Sequence, residues 1–198
     1  MIYDRKLFFE AIKSQLEPNI VKHSLALEVC MGGLYDFFAS GNLLGADEPA
    51  REDWLLAGLI HDIDFGGEFK VSHPSKTREA LEKYHLEVSD IVMQIVKAHA
   101  PDLTGIKPVS KAHWSIFCAD SLTGLIIAVA LILPTKKLAD VKLKSVLKRF
   151  LKEPKFAAGT RRDEVAMCSK PEGLNLPLEK FVEICLTSMQ KIAPELGL

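Results

Sequence analysis

His61 and Asp62 stand side by side at the end of an apolar run, Trp54-Leu55-Leu56-Ala57-Gly58-Leu59-Ile60. A helix over that run carries Asp62 on the stripe of Trp54/Leu55 and Gly58/Leu59, where an uncompensated carboxylate is costly. The imidazole beside it, and more metal-type side chains elsewhere, suggest that a cation compensates the charge. Three other segments repeat the oddity. Ile20, His23, Leu27, Cys30 and Leu34 follow steps of three and four, which sets His23 in an apolar stripe. Ile91/Val92, Ile95/Val96 and His99 share a face from which Gln94 and Lys97 point away. Phe117, Asp120, Gly124, Ile127/Ala128 and Leu131 line one side of a further apolar segment, making Asp120 a charge in a hydrophobic helix. Four helices are thus expected to offer a ligand-type group toward the interior.

The elements that must position these groups are helical. Periodicity near 3.6 dominates and no alternation of the strand type is sustained. The pattern predicts helices over 4–17, stopped by Pro18; over 20–39, ended by Ser40-Gly41-Asn42; and from a cap at Asp47 to His61. Asp64-Phe65-Gly66-Gly67-Glu68-Phe69 reads as a loop, followed by helices from Ser75 or Thr77 to Tyr84 and from Val88 to His99. Ser110 is the expected cap of the long apolar helix that ends before Pro134. Residues 136–152 form a basic amphipathic segment, with shorter helices over 162–168 and 178–192. The expectation is an all-α, single-domain bundle over residues 1–198.

Composition narrows the function classes. The chain has 198 residues, 48% hydrophobic and 26% charged, enough for one compact core. A net charge of −1 implies no general attraction to nucleic acid or membrane. The strongly apolar stretch from Leu122 to Leu133 is short of the roughly 20 residues a bilayer requires. Cys30, Cys118, Cys168 and Cys185 form no CxxC pair, and Cys30, Cys118 and Cys185, in apolar runs, read as buried thiols of a reduced, cytoplasmic protein. Met1-Ile2-Tyr3-Asp4-Arg5-Lys6 has no signal-peptide pattern.

The order His23, His61-Asp62, then Asp120 resembles the HD superfamily of metal-dependent phosphohydrolases. His61-Asp62-Ile63-Asp64-Phe65 resembles the dyad of HDIG-type bacterial proteins. Ala119-Asp120-Ser121-Leu122-Thr123-Gly124-Leu125-Ile126 and Pro134-Thr135-Lys136-Lys137-Leu138-Ala139-Asp140-Val141 resemble an uncharacterised subgroup of them. The resemblance implies an HD-type bundle with a metal-binding core at about 20–133 and a helical cover over 134–198. It implies His23, His61, Asp62 and Asp120 as ligands, a set that suits Mn, Fe, Ni, Co, Zn or Mg. His61 and Asp62, about 100° apart on a regular helix, can share an ion only if the helix ends there. Binuclear members place extra histidines between the dyad and the last aspartate. His73 and His99 are the candidates for a second metal or for donors behind the first. The subgroup would carry a histidine near Thr77, so one ion is expected rather than two.

The activity implied is hydrolysis of a phosphomonoester or phosphodiester, a nucleotide among the candidates, by metal-activated water. Asp62 and Asp64 would be the catalytic carboxylates, Asp64 orienting the attacking water or merely closing the helix end. Phosphate charge would fall to Lys70, Lys76, Arg78, Lys136, Lys137, Arg161 or Arg162, with Arg161-Arg162 on a Gly159-Thr160 loop the most suggestive. His85 and His113 read as peripheral. Competing readings are a di-iron oxygenase-like HD protein, which needs His73 and His99, and a non-catalytic metal-stabilised domain. A nucleic-acid binder using Lys136–Lys152 is disfavoured by the near-neutral charge. Nothing in the sequence points to an oligomeric state.

Overall fold

The computed structural model describes residues 3–198. Met1 and Ile2, part of the N-terminal stretch read for a leader, lie outside them. Among the described residues the regular structure is all helical. Helix α1 (Arg5–Gln15) starts at Asp4, whose carboxylate accepts from the Lys6 amide at 3.0 Å. Pro18 does more than stop it: it opens α2 (Pro18–Ser40), at a position where a missing N–H costs nothing. Helix α3 (Arg51–Ile60) begins after Ala50 rather than at Asp47, with Glu52 and Asp53 in its first turn against the positive helix end. Then come α4 (Thr77–Glu82), α5 (Asp90–Lys97) and α6 (Pro101–Thr104). Ser89 caps α5 through the Val92 amide.

Helix α7 (Lys111–Leu131) is capped by Ser110, as its sequence implies. Helices α8 (Leu143–Lys152), α9 (Arg162–Ala166), α10 (Leu178–Gln190) and α11 (Ala193–Leu196) complete the chain. Short 3-10 turns fall at Gly67–Ser72, Leu138–Asp140 and Met167–Ser169. The first of these lies partly in the segment expected to be loop.

Helix α2 is the axle of the bundle and packs against α3, α7 and α10. Its contact with α3 is close because of Gly58. A Cβ there would lie 2.9 Å from the Glu28 Cα and 3.0 Å from the Glu28 nitrogen. One continuous cluster of buried side chains runs from Phe8 to Leu196 and includes all four unpaired cysteines. In the basic segment, α8 buries Val146 and Phe150 and leaves Lys144, Lys148 and Lys152 exposed, an ordinary amphipathic surface helix.

Two expectations about α7 change. It has 21 residues, so by length and composition alone it could cross a membrane. In this fold 61% of its most apolar window is buried among the other helices. Its interior face is the line of Ala119, Leu122, Leu125, Ile126 and Val129. The Phe117–Asp120–Gly124–Ile127–Leu131 line expected inside is the more open side: Gly124 is exposed and Leu131 is 50% exposed. Asp120 alone on that line is buried.

Candidate metal centre

Helix α3 gives way at the dyad to single turns, with Ile63 N donating to Ile60 O and Phe65 N to Asp62 O. That ending lets adjacent side chains converge, and His61 Nε2 lies 3.3 Å from Asp62 Oδ2. From α2, His23 Nε2 lies 3.6 Å from the same oxygen and 3.1 Å from His61 Nε2. From α7, Asp120 Oδ1 lies 2.9 Å from His23 Nε2 and 3.8 Å from His61 Nε2. On the other side of Asp62, His73 Nε2 is 3.5 Å and His99 Nε2 4.0 Å from Oδ1. Asp62 thus stands between two groups, His23/His61 and His73/His99, each able with it to hold a metal ion.

The tautomers follow from the partners of the opposite ring nitrogens. His61 Nδ1 lies 2.9 Å from Gly58 O and His99 Nδ1 2.6 Å from Val96 O, acceptors that require a proton on Nδ1. His73 Nδ1 donates to Asp64 Oδ1 at 2.7 Å. His23 Nδ1 lies 2.9 Å from Thr123 Oγ1, whose own proton goes to Asp120 O at 2.8 Å, so His23 is the donor. In the neutral rings all four Nε2 atoms are therefore lone pairs turned toward Asp62. Two such lone pairs at 3.1 Å repel unless a proton or a cation lies between them. This donor set fits a borderline divalent ion.

In the metal-free protein a proton can take that place. Burial opposes charge on His61, but the charge and hydrogen bond of Asp62, the charge of Asp120 and the Gly58 carbonyl together outweigh it and lift the pKa to about 9. Burial alone would raise the Asp62 and Asp120 carboxyls; the imidazoles beside them, His61 and His23 respectively, hold both well below the usual carboxylate range. Burial, followed by the charge of His61, depresses His99.

No family model, curated protein or solved structure matches this chain. The site therefore rests on its own geometry.

That geometry reassigns Asp64. It is fully buried, and its oxygens accept from His73 Nδ1 and from the Lys76 amide at 2.7 Å. It fixes the His73 ring, and its oxygens are engaged there and by the Lys76 amide; the sequence had left open whether it orients water or closes the helix end. The basic candidates separate in the same way. Arg161 reaches the centre: Nη2 donates to Asp120 Oδ2 at 2.7 Å and Nε to Glu164 Oε2 at 2.6 Å. Arg162 instead donates to the carbonyls of Phe150, Glu153 and Phe156 and ties down the loop after α8. Arg78 pairs with Asp90, Lys76 with Glu79, and Lys70 lies over the Phe65 ring. Lys136 and Lys137 are exposed beyond the end of α7, roughly 16 Å along the helix from Asp120 at 1.5 Å per residue. His113 Nδ1 accepts from the Val109 amide, and His85 is exposed. Thr123 and Glu164 escaped the sequence reading; the spacing Asp120/Thr123 on one helix could have exposed the first.

A cavity of about 300 Å³ opens onto the centre. His23 and Asp120 of the centre line it together with Gly124, Ala157, Gly159 and Thr160.

Proposed function

We propose that this protein is a metal-dependent phosphate-ester hydrolase of the HD type, with a two-ion centre bridged by Asp62. The observation that carries the reading is the convergence of four Nε2 lone pairs on the two oxygens of one carboxylate. His23, His61, Asp62 and Asp120 would hold one ion, and Asp62, His73 and His99 the other. The reach of His73 and His99 is why two ions replace the single one expected from sequence. Bound divalent ions lower the pKa of coordinated water toward neutrality and polarise a phosphoryl oxygen.

The chain supplies the rest. Thr123, Gly58, Asp64 and Val96 keep protons on the outer ring nitrogens, so the inner ones remain donors to metal. Arg161, anchored by Asp120 and Glu164, retains Nη1 for an anionic oxygen. The cavity admits the ester beside His23 and Asp120. The partner is a small phosphorylated molecule, and the four buried, unpaired thiols suit a cytoplasmic setting.

The test is elemental analysis of the purified protein, then a phosphate-ester panel with each divalent ion. Turnover that depends on added metal supports the proposal; a metal-loaded protein silent across the panel overturns it. The His73/His99 pair also favours one second reading, two irons oxidising a substrate with dioxygen. Turnover sustained by redox-inert zinc or magnesium without dioxygen excludes that reading.

A further inference from the structure

Gly124 lies in mid-helix, where glycine weakens α7 relative to alanine. Nothing in the packing asks for it. A Cβ there meets no atom within 4 Å, in contrast to Gly58, which α2 holds against its backbone. Nor does the backbone require it, since the glycines of positive φ are Gly67, Gly105 and Gly197. What lies in front of Gly124 is the cavity. It sits one turn beyond Asp120 on the open side of α7, and Gly159, across the cavity, likewise faces empty space.

The cavity has the dimensions of a substrate arm. About 300 Å³ is the lower end of the range for small-molecule sites. That accommodates one small organic group. Apart from the His23 ring of the centre, no aromatic side chain lines it, so a nucleobase finds no stacking face. Ser121 and Thr160 offer hydroxyls to a polar substituent. We infer that Gly124 is kept free of a side chain to seat the organic half of the substrate, a phosphomonoester with a compact, non-aromatic organic group. The inference rests on the phosphate-ester reading of the same site.

The test uses metal-loaded wild type, Gly124→Ala and Gly124→Leu, with calorimetry on inorganic phosphate, glycerol phosphate and adenosine monophosphate. Wild type should bind glycerol phosphate at least tenfold more tightly than adenosine monophosphate. Gly124→Leu should keep its metal content, hold or raise Tm, and bind inorganic phosphate within threefold of wild type. It should weaken glycerol phosphate by tenfold or more, with Gly124→Ala in between. A leucine variant that binds glycerol phosphate like wild type overturns the inference, as does tighter binding of adenosine monophosphate to wild type. A fall in Tm, or loss of metal or inorganic phosphate, assigns the glycine to packing or to the centre and equally overturns it. If the binding pattern appears but no ester is hydrolysed, the subsite stands and the hydrolase reading falls.

Discussion

The two sides of Asp62 are built differently. On the Oδ1 side, His73 and His99 are locked by Asp64 and by a helix carbonyl, and the carboxylate that orients His73 has no exposure. On the Oδ2 side, His23 and Asp120 form the wall of a cavity, and their outer partners are a hydroxyl and a half-exposed guanidinium. The Oδ1 side is held by a buried carboxylate and a carbonyl; the Oδ2 side borders a cavity. In the proposed two-ion centre this difference would separate holding an ion from exchanging a ligand, because buried, fully hydrogen-bonded donors reorganise least.

Substitutions can break that contrast. Asp62→Ala removes the bridge and should abolish both metal content and turnover, measured by elemental analysis and by the ester assay. Metal-dependent turnover surviving in this variant would falsify the scheme. His99→Ala should cut bound metal from two ions to one per chain and leave the His23 side loaded. Loss of both ions would mean that the sides are not separable. Asp64→Asn keeps the shape but replaces an acceptor facing the Lys76 amide, and should weaken the His73-side ion by about 10- to 100-fold. Metal titration reads it, and equal weakening on both sides would erase the contrast. Arg161→Ala acts on the open side only, raising KM by about tenfold for a lost charge-assisted hydrogen bond to the ester and, because its Nη2 also orients Asp120, weakening the His23-side ion with the His73-side ion unchanged.

The smallest effect is on pH. A folded pKa near 9 for His61, above the ordinary 6.5, adds stability that is complete below about pH 6.5 and fades as pH climbs through 9. Tm of the metal-free protein should fall over that window. A divalent ion, taking the proton's place, should flatten the profile.

The dyad was legible because a carboxylate and an imidazole ending an apolar run have few bland explanations. His23, His99 and Asp120 were legible as polar breaks in apolar stripes, and the structure brings all of them to one cluster. The cap at Ser110 was legible because its side chain bonds an amide three residues on, a local effect; those at Asp4 and Ser89 are as local but went unread, and the cap expected at Asp47 falls instead at Ala50. The open side of α7 was not legible. Both of its faces are apolar, so periodicity cannot say which one a neighbour covers. The role of Asp64 was left open for a related reason. Its partners, His73 and the Lys76 amide, lie 9 and 12 residues away across a turn whose path no local pattern encodes. The separation of Arg161 from Arg162 also depends on long-range contacts, one with α7 and the other with the end of α8.

Gly58 acts as a spacer, with a consequence for which ion the proposed centre would take. Its lone hydrogen lets the backbones of α2 and α3 touch, and its carbonyl steers the ring three residues on. The gap between the imidazoles of positions 23 and 61 is therefore gauged by a missing methyl. Adding one would push the two helices apart and widen that gap, so a proposed ion would meet a larger opening with none of its side-chain donors altered.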